Sequence, residues 1–352
     1  MHVPFCVRRC DYCAFVTWEG RESLAEAYVE AVVTEITRAR RAGHLEGLET
    51  VFIGGGTPSL LGAAPLCRLL DALGTDGVAE VTVECNPEST DLALLGALRA
   101  AGVNRISLGV QSLAPHVLAG LGRAHDPAEA RRAVAAVGEA GFSNFNVDLI
   151  YGGAGEEDRD WAESLEQVLA LEPSPPHVSA YALTVEPGTP LAADRARHPD
   201  DDAQADRYLY ADERLRRAGL EWYEISNFAR PGHECRHNRA CWAQADYLGF
   251  GCAAHSHVGG RRFRNVASLD RYLARVGAGE PVVVAEERLS AEEAALESLQ
   301  LRLRTREGVP RAALPDAEGL GGLLVAQGER LVLSARGRLL ANEVALRLVV
   351  GG

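Results

Sequence analysis

The stretch Cys6-Val7-Arg8-Arg9-Cys10-Asp11-Tyr12-Cys13 places three thiols at C-x3-C-x2-C spacing, straight after the short apolar segment His2-Val3-Pro4-Phe5. Thiolate sulfur is a soft ligand that suits iron–sulfur clusters and zinc. Most cluster sites use four cysteines, and structural zinc sites close with four ligands. Here no fourth cysteine follows nearby, because Phe15 stands where it would be expected. Three thiolates on a cubane leave one iron without a protein ligand, open to a small molecule. Spacing leaves two other readings open: a zinc site completed by a distant His or Cys, and an accidental grouping of thiols.

Outward from this loop, the first ~220 residues alternate short β-branched runs with longer helical patterns, the mark of βαβ units and a parallel sheet. The expected strands are Thr50–Ile53, Glu80–Glu84, Arg105–Val110, Phe145–Ile150 and His177–Leu183, with a stub at His2–Phe5. Between them Leu24, Tyr28, Val32 and Ile36 recur at i+4, Leu94 and Leu98 precede Gly102, and Val134 and Val137 precede Gly141. Apolar residues at this interval followed by glycine predict amphipathic helices with their stop signals. Six strand–helix units predict an α/β fold, a partial (β/α)6 TIM-type barrel open on one side. Pro173-Ser174-Pro175-Pro176 reads as a turn into the sixth strand. After Leu220 the pattern turns irregular, and from about residue 290 helices and the apolar run Leu339–Val350 predict a small winged-helix-like appendage. The expected division is therefore residues 1–220 as the barrel and 221–352 as a smaller C-terminal α+β unit.

The chain has 352 residues, enough to bury about 75% of its unfolded surface. Its net charge of −13 and pI of about 5.3 argue against a nucleic-acid surface, which should be basic. No lysine occurs, so the basic side chains are arginine and histidine. Eight cysteines without a secretory leader predict a reducing, cytoplasmic location. No apolar run is long enough to span a bilayer.

In barrels of this kind, reacting groups sit at the carboxyl ends of strands, and unusual residues recur there. After the second strand comes Gly54-Gly55-Gly56-Thr57-Pro58-Ser59. Its glycines let the backbone approach a ligand closely, and it lacks the lysine of a nucleotide-triphosphate loop. The third strand ends on Glu84-Cys85-Asn86-Pro87-Glu88, and a carboxylate at a strand tip is solvated about as often as it is functional; the fourth ends on Ser107-Leu108-Gly109-Val110-Gln111-Ser112. Arg123 follows in Gly122-Arg123-Ala124-His125, and the fifth strand closes with Asn146-Val147-Asp148-Leu149-Ile150-Tyr151-Gly152.

The C-x3-C-x2-C loop, with an aromatic residue before its third cysteine, resembles the radical S-adenosylmethionine (SAM) superfamily. The resemblance implies a [4Fe–4S] cluster on Cys6, Cys10 and Cys13 whose open iron binds SAM. Segment by segment the motifs are similar to the oxygen-independent coproporphyrinogen III oxidase family and its heme-chaperone relatives, over nearly the whole chain. That likeness implies that Gly55, Gly56 and Thr57 contact the methionine of SAM, and Glu84, Gln111 and Asp148 its ribose side. Arg123 would bind its carboxylate through forked hydrogen bonds.

Two features separate the branches. The oxidase carries a fourth cysteine two residues beyond the third, where Phe15 stands, and an N-terminal extension that this chain does not show. The chaperone branch carries an H-N-x-x-Y-W motif associated with heme, which appears here as His237-Asn238-Arg239-Ala240-Cys241-Trp242, after Tyr223-Glu224-Ile225-Ser226-Asn227-Phe228-Ala229. The chaperone reading follows: a carrier that binds heme and passes it to an acceptor protein, with an external reductant for the cluster. Membrane contact is expected only through that acceptor. The alternative is the oxidase reaction, decarboxylation of coproporphyrinogen III to protoporphyrinogen IX. His237 and Cys241 are the candidate heme ligands, with His255 and His257 as outsiders. Cys241 stands in the tyrosine position and is expected to be a small buried hydrophobe. In the resembling family the first strand runs upstream of Met1, so a few further residues are expected ahead of it.

Overall fold

The computed structural model describes residues 1–314 and 317–348, so the last two residues of the Leu339–Val350 run lie outside the described residues. Its frame is an eight-stranded sheet. β1 (His2–Val3), β2 (Thr50–Gly55), β3 (Glu80–Cys85), β4 (Arg105–Gln111), β5 (Phe145–Tyr151) and β6 (His177–Ala182) follow one another in space as in sequence, all parallel. The crossovers carry α1 (Ala25–Arg41), α2 (Ala63–Leu73), α3 (Leu92–Ala100), α4 (Pro115–Leu121), α5 (Pro127–Glu139) and α6 (Asp158–Leu169). This is the predicted α/β partial barrel, and the strand bounds agree with the sequence reading to within two residues or so at each end.

The chain then runs through α7 (Pro190–Ala193) and α8 (Asp201–Arg217) into β7 (Glu221–Glu224) and β8 (Asn227–Ala229). β8 pairs antiparallel with β6 and β7 with β8, so the barrel sheet continues past residue 220 to Ala229. Beyond it, α9 (Arg236–Trp242) is followed by a second sheet of β9 (His255–Val258), β10 (Arg261–Asn265) and β11 (Val283–Arg288). α10 (Leu269–Ala278), between β10 and β11, packs on α1. The last unit has α11 (Ala291–Leu303), then β12 (Val309–Pro310), β13 (Leu324–Gln327) and β14 (Arg330–Leu333) in a small antiparallel sheet, and the short helices α12 (Ala335–Leu339) and α13 (Ala341–Leu346). It has its own apolar core around Leu303, Val309, Leu331, Leu333 and Val344.

One feature of the strands decides where chemistry can occur. A parallel strand covered on both faces normally reads as a continuous apolar run. Here β3 reads Glu-Val-Thr-Val-Glu and β5 Phe-Asn-Val-Asp-Leu. Successive side chains face opposite sides, and Val81, Val83, Ile106, Leu108, Val147, Leu149 and Val178 all join the main apolar core with the helices. The intervening Thr82, Arg105, Ser107, Asn146, His177 and Ser179 are buried as well. They therefore line a polar lumen, and buried polar groups are retained only where they are hydrogen-bonded or bind something.

Candidate functional site at the carboxyl mouth of the barrel

The thiol loop leaves β1 and is stitched to the end of β2 by the main chain: Gly56 N–H donates to the Val3 carbonyl (2.7 Å) and Thr57 N–H to the Phe5 carbonyl (2.8 Å). Cys6 is buried, while Cys10 and Cys13 are half-buried and joined by the Cys13 N–H to Cys10 carbonyl bond (3.1 Å). The Arg9 guanidinium donates to the Cys13 carbonyl and so holds the far end of the loop. A side chain at Gly56 would meet the Phe5 and Val3 carbonyls at 2.7 and 2.9 Å and the Cys6 sulfur at 3.0 Å. Gly55 adopts φ +118°, a conformation open to glycine. Both glycines are thus required by the close approach of the two segments.

Arg123 arrives from the β4 side. Its Nη1 donates to the Cys10 sulfur (3.4 Å) and its Nη2 to Asn86 Oδ1 (2.7 Å) and the Gly109 carbonyl (2.9 Å), while its buried Nε has no partner. Asn86 in turn donates to Thr57 Oγ1 (3.0 Å), which faces Cys6. Gln111 lies at φ +66° beside a shift in the β4–β5 register, with its buried Oε1 unpartnered. A non-glycine residue held in that region is strained, and such strain collects at functional sites. Asp148 accepts from Asn146 (2.7 Å) and Ser107 (3.2 Å). Glu84 accepts from the Gly55 N–H (3.0 Å). The structure therefore gathers Cys6, Cys10, Cys13, Gly55, Gly56, Thr57, Glu84, Gln111, Arg123 and Asp148 around one mouth.

The donor set bears on what could be held there. Burial pushes the Cys6 and Cys13 thiols up, and the neighbouring thiols add to it, so these two favour their neutral form until a cation compensates the charge. Among the described residues, no three His, Cys, Asp or Glu side chains converge as a single metal ion requires. Three thiolates on one loop can hold a cluster, in which each takes its own iron, or a zinc that finds a fourth ligand. The remaining cysteines do not compete: Cys67 is half-buried on α2, Cys85 is buried in the apolar core at the end of β3, Cys235 and Cys252 are buried in the later part of the chain, and Cys241 is exposed on α9.

Glu84 is pushed up to about 7, first by burial and then by the charge of Asp148, against the Gly55 N–H bond. A carboxyl that binds its proton more tightly when folded loses stability as pH rises between its ordinary value, about 4.3, and its folded one. Glu84→Gln is therefore expected to leave stability unchanged near pH 5 and to raise it by ~1–3 kcal/mol at pH 8, relative to the parent protein. Urea unfolding at the two pH values checks the sign.

His237 lies elsewhere. Its Nδ1 meets Thr50 Oγ1 (3.1 Å) and its ring stacks on Phe52 with centroids 5.0 Å apart. Its backbone N–H donates to Glu80 Oε1 (3.0 Å). Thr50 and Glu80 open β2 and β3, so α9 covers the amino mouth, a strand length or about 20 Å from the thiols. A cavity of about 1130 Å³ opens beside it, lined by His237, Phe52, Trp242 and Tyr247 among others. Cys241 is exposed, with its sulfur 3.9 Å from His237 Nε2. The expectation of a buried small hydrophobe is corrected: one helical turn after His237, its side chain shares that residue's face rather than the core. Neither His255 nor His257 lines the cavity, whereas Ser256 between them does.

Three contributors escaped the sequence reading. Asn86 bridges Arg123 to Thr57; it lies in the strand-end motif quoted above, two positions beyond Glu84. Glu80 and Arg105, charged residues at strand starts, are buried in the lumen, and Arg105 Nε has no partner. Charge in an otherwise β-branched run was the available signal.

A partial barrel with this tri-thiol loop is a radical SAM fold, and the family profile described as Radical SAM superfamily matches residues 1–168. The chain belongs to the heme chaperone HemW family. It is 43% identical to heme chaperone HemW of Mycobacterium tuberculosis, over 99% of this chain and 94% of that protein. It is 38% identical to heme chaperone HemW of Synechocystis, over 90% of this chain and 79% of that protein. Among solved structures, coproporphyrinogen III oxidase (HemN) from Escherichia coli, described as a radical SAM enzyme, superposes with a TM-score of 0.84 at 24% identity, over 98% of this chain and 88% of that one. At that identity the likeness is one of fold. Among the described residues, no helix is long and apolar enough to cross a membrane.

Proposed function

We propose that this protein is a cytoplasmic heme carrier that binds a [4Fe–4S] cluster through Cys6, Cys10 and Cys13, holds SAM beside it, and passes heme from the His237 region to an acceptor protein. The observation that carries the reading is the contiguity of the carboxyl mouth in a member of a heme chaperone family: the thiol loop, the Gly56–Thr57 backbone and Arg123 are bonded into one unit. A cluster held there supplies an iron with a free coordination position and one-electron redox chemistry, which an external reductant feeds. Arg123 supplies a fixed positive charge: burial opposes it, but Tyr12, Cys10 and Glu88 hold the guanidinium firmly protonated. Gln111 and Asp148 offer acceptor oxygens for hydroxyl groups, with Ser107 and Asn146 fixing the Asp148 carboxylate. Glycine at 55 and 56 lets a ligand lie directly on main chain.

At the other mouth, the Thr50 contact at Nδ1 and the stack on Phe52 hold the His237 ring in place, and Nε2, beside the Cys241 sulfur, is the nitrogen offered to heme iron. The barrel, whose sheet runs on to Ala229, then serves as the cofactor-binding unit, and the rest of the chain brings the heme motif. Nothing in the charge balance recommends a nucleic-acid partner.

The test is a paired assay on anaerobically reconstituted protein. Heme titration is expected to give one Soret-shifted complex per chain, with no vinyl product from coproporphyrinogen in the presence of SAM and reductant. Protoporphyrinogen formation would establish the oxidase instead. His237→Ala is expected to move the Soret band and weaken heme binding by roughly tenfold or more; an unchanged spectrum and affinity would remove His237 from the site.

A further inference from the structure

We infer that the cavity at the amino mouth recognises the two propionate carboxylates of its heme cargo through Arg236 and Arg302. This inference rests on the heme-carrier reading and adds to it the group that is read. At about 1130 Å³ the cavity exceeds the ~300–1,000 Å³ of ordinary ligand pockets. Aromatic side chains wall it: Phe52, Trp242, Tyr247, Phe250 and Phe263. That suits a flat macrocycle, whose edge carries two carboxylates needing cations as they leave water.

Five arginines line the cavity, and three already have partners. Arg239 pairs with Glu307 (3.2 Å), Arg261 with Glu286 (3.4 Å), and Arg330 donates to the Glu307 and Gly308 carbonyls. Among the described residues, Arg236 and Arg302 have no ion pair and no side-chain hydrogen bond, and both are exposed. Arg236 precedes His237 on α9, and Arg302 lies in the last turn of α11.

The acidic lining is distributed differently. Glu35 accepts from Tyr272, Asn265 and the Gly251 N–H; Asp246 accepts from the Gly259 N–H; Glu307 is taken by Arg239. That leaves Glu46 and Glu49, both on the loop between α1 and β2. Unpaired cations on α9 and α11 and unpaired carboxylates on the α1–β2 loop orient a dicarboxylate one way round. Its propionates point to the α9–α11 side, so the C-terminal unit contributes directly to holding the cargo.

Heme, heme dimethyl ester and iron-free protoporphyrin, titrated into the full chain, test this. The parent protein is expected to bind heme roughly 10- to 100-fold more tightly than the diester, the range for charge-assisted hydrogen bonds to two carboxylates. Arg236→Ala with Arg302→Ala is expected to bind both equally, at the diester level, with an unchanged Soret position and thermal melt. Arg302→Lys should retain most of the discrimination. Protoporphyrin should lose affinity in the arginine variants but be indifferent to His237→Ala. Equal affinity for heme and diester in the parent, with the His237→Ala spectral change intact, overturns the inference and leaves the carrier reading standing. Absence of any heme binding by the parent overturns both.

Discussion

Alanine at Cys6, Cys10 or Cys13 is expected to yield an anaerobically reconstituted protein that is colourless and retains no stoichiometric iron or sulfide, whichever of the three is removed. With three thiolates there is no spare ligand: loss of one leaves two irons open, and no other cysteine can step in. Cys67, Cys85, Cys235, Cys241 and Cys252 sit on other elements, and alanine at any of them should leave iron loading intact. The effect should not be one of folding. Cys10 and Cys13 are half-buried loop residues, for which truncation changes stability by only about 0.5 kcal/mol. Cys6 is buried and accepts a weak bond from Thr57 (3.7 Å), so its variant should lose a little more. Iron and sulfide analysis beside a thermal melt separates the two effects. A variant that keeps its brown colour and full iron content would refute the ligand assignment, and tightly held zinc in the parent protein would refute the cluster.

This prediction rests on what local sequence could carry. The thiol spacing, the glycines of Gly54-Gly55-Gly56 and the polar strand ends are each encoded within a few residues, and the parallel topology then brings every strand end to the same rim. The strands were legible because their outward positions alternate with inward ones at period two. Burial of the inward polar set was not, because it depends on barrel closure. Nor could the placement of His237 be read. It is set by Thr50 and Glu80, 187 and 157 residues away in sequence, and a motif read in isolation has no address in the fold. Cys241 was misjudged for the same reason: free cysteines are usually buried, but this one follows its helix onto the exposed side of α9. The continuation of the barrel sheet through β8 and β7 was also hidden, since three- and four-residue antiparallel strands give too short a periodic run to register.

Glu80→Ala should destabilise the protein by about 3–5 kcal/mol and abolish tight heme binding, while cluster loading at the far mouth persists. Glu80 is 3% exposed. Its Oε1 accepts from Cys235 Sγ (3.3 Å) and from His237 N–H (3.0 Å), and its Oε2 accepts from Arg236 N–H (2.9 Å). One carboxylate thus satisfies the first backbone donors of α9, which helix geometry leaves without partners. It also supplies negative charge beside the buried Arg105 guanidinium. Truncation strands two amides and uncovers a buried cation, and removing one member of a buried charge system costs about 3–5 kcal/mol. Glu80→Gln keeps one acceptor oxygen but not the charge, so it should cost about 1–2 kcal/mol. The functional consequence follows from position. α9 is a seven-residue helix, too short to persist alone, so releasing its start frees His237 from Thr50 and Phe52 and removes the iron ligand from its fixed orientation. β3 carries Glu84 at its other end, yet the thiol loop is bonded to β2 rather than β3, so iron content should survive. Urea unfolding, heme titration and iron analysis on the same preparations distinguish the outcomes. If Glu80→Ala lost its iron but bound heme normally, the carboxylate would be serving the carboxyl mouth, and the division of labour between the two ends of the barrel would be wrong.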